Sequence, residues 1–343
     1  MFLTSWGRFQ RHFSGILDDL TKHGELIDKE TNAENIIEAR KMRQDLETWR
    51  TESLASMARA QREQTTRQVQ GVIAWLRLDD SDQLSLLDNL SEVGARHPGT
   101  VSWVLKKRQM SSWMQCTTEN QFVWLHGKPG TGKSVIVAQL VGFLATAGQS
   151  LVIHHFCSYN HTSSTLYDEI IKAILLQCLR ADSDLLNYVY EEYAGAKSAS
   201  ITLLEKLLET AVETLGSGGR GQRTIHILLD GLEECAQDKQ ERLIRIFERL
   251  MTAGASCKVL IASRDFPLTR VKRKKPSLVS LSDEKAAVTD AIYKFVDTEL
   301  LTMRDQLEQL KVTEEERWKI ASGISKRADG EFKLHPPQTF ASG

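Results

Sequence analysis

Residues 122–144, FVWLHGKPGTGKSVIVAQLVGFL, constrain this chain more than any other stretch. Gly127, Lys128, Pro129, Gly130, Thr131, Gly132, Lys133 and Ser134 spell G-x-x-x-x-G-K-S between an apolar run of strand type and an apolar run of helix type. The glycines let the backbone curl so that its N–H groups face inward, and a helix starting near Lys133 adds the positive end of its dipole. Such a loop grips phosphates. Lys133 is expected to reach the β and γ phosphates of a nucleotide as a mobile cation, and Ser134 to offer its hydroxyl to Mg²⁺. The implied ligands are ATP or ADP with Mg²⁺, and GTP stays open although no guanine-reading NKxD motif is present.

A phosphate grip of this kind needs an acidic partner from a neighbouring strand, because Mg²⁺ prefers hard oxygen ligands. TIHILLDGLEEC, residues 224–235, supplies one, with Asp230 at the carboxyl edge where open α/β sheets bind ligands. Ser134 and Asp230 are therefore the expected metal residues. Glu233 and Glu234 follow within one turn, and one of them is a candidate general base for an attacking water. The alternative for the other is an ordinary acidic helix start. KVLIASRD, residues 258–265, ends a third strand on Arg264, which either senses the terminal phosphate or merely caps the sheet edge.

Around these motifs the pattern is of an α/β, three-layer P-loop NTPase: a parallel sheet with helices on both faces. Near-continuous apolar runs at 122–125, 151–156, 224–229, 259–262 and 278–281 alternate with helical periodicity at 166–178, 204–215 and 243–250. All six prolines fall at position 98 or later, and 33–70 contains no glycine, so residues 1–76 read as an all-α region, either a spacer or bundle or a docking module. Residues 77–118 read as a linker with helices before the loop, 119–282 as the nucleotide-binding domain, 283–330 as a partial helical lid and 331–343 as an irregular tail. GSGGRGQR, residues 216–223, reads as a flexible loop.

A formal charge of −1 gives no global attraction to nucleic acid, so no nucleic-acid partner is expected. No run approaches the roughly 18 apolar residues of a membrane span. Five cysteines without a CxxC pair fit free thiols, and a cytoplasmic location is expected. HHFC at 154–157 is set aside as a metal site because adjacent strand residues face opposite ways. RVKRKK at 270–275 reads as a solvated loop rather than a targeting signal, and Cys235 lacks a basic neighbour to make it reactive.

HGKPGTGKS, LLDGLEEC and KVLIASRD, with HPGTVSWVL before the loop and FCSY after the second strand, resemble the NACHT-type domains of fungal signal-transduction (STAND) ATPases, also described as nephrocystin-type P-loop domains. The resemblance runs over about residues 75–330. It implies Walker A at 127–134, the Walker B aspartate at Asp230, the acidic pair at Glu233 and Glu234, a sensor arginine at Arg264 and a helical lid from Asp283. It further implies a slow ATPase acting as a switch in recognition or incompatibility signalling, with an ADP-bound resting state and self-association or helical-domain protein partners. Family members continue after ISKRADG into an apolar helix and a winged helix, where this chain reads EFKLHPPQTFASG. A short form or an incomplete gene reading is therefore expected. Two other readings stay open: an interaction fragment that binds nucleotide without cycling, and a P-loop kinase acting on a small acceptor.

Overall fold

The computed structural model describes residues 13–23, 33–148, 150–195, 198–217, 223–253, 256–264, 275–303, 309 and 312–328. It divides into two units, one of residues 1–75 with 183–197 and one of 76–182 with 198–343.

In the first unit, a helix over residues 13–23 (α1) lies on the long helix α2, Ala33–Leu76. Phe13 and Trp49 bring their rings to 5.6 Å, and Arg50 lies 3.6 Å from Asp18. The far end of α2 meets the short helix Ser183–Glu192. Gln68 donates a hydrogen bond to Asn187, Trp75 lies 6.1 Å from Tyr193, and Gly71 faces the Tyr190 ring so closely that a Cβ there would sit 2.4 Å from it. The grouping of residues 183–197 with the N-terminal helix is a boundary the sequence pattern did not draw.

The second unit is built on five parallel strands, β1 Phe122–His126, β2 Ser150–Phe156, β3 Thr224–Asp230, β4 Cys257–Ser263 and β5 Ser277–Ser280, in the order β2-β3-β4-β1-β5. β4 is inserted between β1 and β3, so its carboxyl end comes out between theirs. His126 pairs with Ser263, Asp230 with Ala262, and Phe156 with Asp230. Four strand ends therefore line up along one edge. The apolar runs work because both faces are covered: β3 and β4 are buried along their whole length.

On one face lie α3 (Ser81–Arg96), α4 (Ser102–Leu105), α5 (Arg108–Met114) and α6 (Lys133–Ala147). Ile136, Val137, Leu140 and Leu144 of α6 share a core with Trp113, Leu228 and Leu260. On the other face lie α7 (Tyr167–Ala181), α9 (Ile201–Ser217) and α10 (Gln237–Ala253); the helix Ser183–Glu192 of the first unit is numbered α8. Glu205 of α9 ties this layer together: it accepts from Tyr167 at 2.8 Å, Arg242 at 2.7 Å and Arg249 at 2.6 Å. After β5 come α11 (Lys285–Thr302) and α12 (Glu314–Arg327), which pack Val288, Ile292 and Val296 against Ala321. Thr313 and Glu316 form a reciprocal capping box at the start of α12. Of the expected loop at 216–223, Gly216 and Ser217 instead finish α9; residues 218–222, residues 270–274 of the basic stretch at 270–275, and the tail at 331–343 lie outside the described residues.

Candidate functional site

The loop after β1 turns on two glycines. Gly130 has φ 76° and Gly132 φ 81°, left-handed values that favour glycine, and Gly132 caps the start of α6. At Gly127 the constraint is space: a Cβ there would come within 2.6 Å of the Thr131 hydroxyl and 3.0 Å of the Leu281 side chain. Thr131 donates to the Lys128 carbonyl at 2.8 Å, while Lys128, Pro129 and Gly130 stay exposed. Lys133 folds back over the loop and donates to the carbonyls of Gly127 at 2.8 Å and Lys128 at 2.9 Å. The residue is only 8% exposed, and burial lowers its pKa against the pull of Glu233 and Asp230.

The acidic wall stands opposite. Asp230, at the end of β3, is buried and accepts a hydrogen bond from Ser134. Burial pushes its pKa up to about 6, with Glu233 adding to the rise and Ser134 and Lys133 opposing it. Gly231 then turns the chain with φ 75°, and a 3₁₀ turn at Leu232–Glu234 presents the two glutamates. Arg264, one residue past β4, spans both: its Nε lies 3.1 Å from Glu233 and its Nη2 3.2 Å from Glu234. The second oxygens, Glu233 Oε2 and Glu234 Oε2, are buried without a hydrogen-bond partner. Burial and the Glu233 charge raise the pKa of Glu234.

Of the predicted site residues, Pro129 to Ser134, Asp230, Glu233, Glu234 and Arg264 line one cleft of about 430 Å³, while Gly127 and Lys128 lie outside its lining. The sequence did not foretell its other end, which is apolar: Val101, Trp103, Val288, Ala291 and Phe295 line it. His97 is also there, 3.0 Å from Glu299 and with its ring 4.1 Å from that of Phe295. His97, Thr100, Val101 and Trp103, within the stretch expected to be a linker with helices, thus form a wall of the cleft. The signal available was that Trp and Val; nothing in the residues of α11 points to the same place.

A left-handed glycine cradle, a hydroxyl already on a buried carboxylate and two orphaned carboxylate oxygens suit a hydrated Mg²⁺ and a phosphate chain. Among the described residues no group of three or more His, Cys, Asp or Glu side chains is placed to hold a metal by itself. A cation at Ser134 and Asp230 would therefore complete its shell with phosphate oxygens and water, as Mg²⁺ does.

Fold and loop together define a P-loop NTPase domain. The family model described as "Nephrocystin 3, N-terminal" matches residues 99–264. No curated protein matches the chain in sequence. Among solved structures, Cdc6p from Pyrobaculum aerophilum is 17% identical with a TM-score of 0.37, over 64% of this chain and 53% of its own. A Drosophila ORC chain bound to DNA is 14% identical with a TM-score of 0.41, over 67% and 60%. A chain of Drosophila ORC bound to poly(dA/dT) DNA and Cdc6 is 11% identical with a TM-score of 0.35, over 66% and 35%. This chain spans less than two thirds of the length of each. Among the described residues no helix is long and apolar enough to cross a membrane.

Proposed function

We propose that the chain is a nucleotide-dependent switch module that binds ATP or ADP with Mg²⁺, hydrolyses ATP slowly and changes its self-association or helical docking with the nucleotide state. The observation that carries this reading is the clamp of Arg264 on Glu233 and Glu234, directly across the cleft from the Lys133 loop. A fast hydrolase keeps its base free. Here both candidate bases are held by the residue proposed to sense the terminal phosphate, which suits a resting state.

On this reading the loop N–H groups of 127–134 take the phosphates, and Lys133 leaves the Gly127 and Lys128 carbonyls to reach them. Ser134 and Asp230 would hold Mg²⁺, which neutralises charge developing on the phosphates. A terminal phosphate draws Arg264 away from the acidic pair. One of Glu233 and Glu234, released, accepts a proton from the attacking water. The apolar end, with Trp103 and Phe295, takes the base, and GTP remains the alternative to ATP. The setting in fungal recognition or incompatibility signalling rests on the motif resemblance alone; the nephrocystin-type family match supports the P-loop domain.

Size-exclusion chromatography with light scattering, in ADP–Mg²⁺ and in ATP–Mg²⁺, tests the switch. Different hydrodynamic sizes in the two nucleotides are expected. Identical profiles, with rapid ADP release only when a small acceptor is added, would point instead to a kinase.

A further inference from the structure

Two thiols meet where the cleft abuts the end of β2. Cys157 follows that strand directly and Cys235 ends the turn that carries Glu233 and Glu234. Their sulphurs are 3.6 Å apart, with the Cys235 thiol donating to Cys157. Both are buried, yet Cys157 lines the cleft. Of the other cysteines, Cys178 and Cys257 are fully enclosed away from the cleft and Cys116 is exposed.

The backbone on both sides is fastened. The Cys157 N–H donates to the Asp230 carbonyl at 2.9 Å, and the Cys235 N–H donates to the Leu232 carbonyl at 3.1 Å. The sulphurs need to approach by only about 1.5 Å to reach bonding distance. The nucleotide chemistry gives neither of them a task.

We propose that Cys157 and Cys235 form a reversible disulfide site for a small hydroperoxide, such as hydrogen peroxide, that enters through the cleft. The Cys157 sulphur attacks one peroxide oxygen; its proton leaves with the other oxygen as water, and a sulfenic acid remains. The Cys235 sulphur then attacks the sulfenic sulphur, and its proton leaves with the hydroxyl as a second water. Two thiols and one hydrogen peroxide give one disulfide and two waters, the two electrons coming from sulphur. A dithiol reductant reverses the bond by exchange. The bridge ties the turn bearing the acidic pair to the end of β2, and it stands whether or not the cleft binds nucleotide.

The test is a peptide map of the full chain, reduced, exposed to hydrogen peroxide, alkylated and digested without reductant. The expected product is a linked peptide pair containing Cys157 and Cys235, two hydrogens lighter than its parts and more abundant than any other linked cysteine pair. It disappears with dithiothreitol and in Cys235→Ser, and it persists in Cys116→Ser. Cys116 serves as the internal gauge of peroxide exposure. A map in which Cys116 is oxidised while Cys157 and Cys235 are recovered as free thiols overturns the proposal, as does linkage of either one to Cys116 instead.

Discussion

Arg264 Nε lies 3.1 Å from Glu233 Oε1, so the guanidinium just past β4 is paired, at the cleft wall, with the turn that follows β3. Glu234 holds the same guanidinium at 3.2 Å. The arginine is 43% exposed while the two glutamates are about one-seventh exposed, at 15% and 14%. The most accessible member of the cluster is therefore the cation, and a phosphate can compete for it.

Arg264→Ala is expected to separate ATP from ADP. If the guanidinium moves to a terminal phosphate, its loss weakens ATP binding about tenfold, or about 1.4 kcal/mol, while ADP affinity stays the same. Paired titrations with the two nucleotides check this; equal losses for both would make Arg264 a structural cap only.

Asp230→Asn is expected to stabilise the nucleotide-free fold at neutral pH. The folded pKa of about 6 lies above the unfolded carboxylate value. Its contribution to stability is therefore complete below about pH 4 and is lost as pH rises through 6. The asparagine should gain up to about 3 kcal/mol at pH 7.5 and almost nothing at pH 3.8. Urea unfolding in EDTA across that range measures it. The same variant should lose the Mg²⁺ dependence of nucleotide binding.

Gly231→Ala is expected to cost about 2–4 kcal/mol, because it combines a left-handed backbone with a Cβ forced against a carbonyl. The φ is 75°, and the Cβ would sit 2.6 Å from the Cys157 oxygen, a backbone atom that cannot swing away. Gly148 has φ 65° with nothing within 4 Å, so Gly148→Ala should cost only about 1 kcal/mol. Chemical denaturation of the pair compares them directly.

Phe295→Ala is expected to weaken ATP and ADP alike, about tenfold, because the apolar end of the cleft meets the part the two nucleotides share. A loss confined to ATP would place the base elsewhere. Thermal melting guards against misreading, since Phe295 also packs on His97.

The strands were legible to within two residues because a strand buried on both faces is mostly apolar, and KVLIAS or TIHILLD keep long apolar runs despite Lys258 and His226. The loop was legible because Gly127, Gly130 and Gly132 answer to local geometry, close approach at the first and positive φ at the others. What was not legible depends on contacts distant in sequence. Trp103 and Phe295 share the cleft across 192 positions, and no local pattern in either segment says so. Cys235 was judged inert for lack of a basic neighbour, yet its neighbour is a thiol 78 residues away. The sequence offers Arg264 as a phosphate sensor or a cap on the sheet edge, and its position between two glutamates follows from β4 lying between β1 and β3. Strand order is a property of the assembled sheet. Likewise α8 carries the same amphipathic pattern as its neighbours, and only the fold groups it with α2.

The central claim is that the loop at 127–134 holds a nucleotide through Lys133. Isothermal titration of the purified chain with ATP–Mg²⁺ and ADP–Mg²⁺, beside Lys133→Ala, tests it most directly. Saturable one-to-one binding with Kd below about 100 µM in the wild type, lost in Lys133→Ala with the fold intact, is the expected result. No binding to the wild type at high micromolar concentration, or equal binding by both proteins, would contradict it.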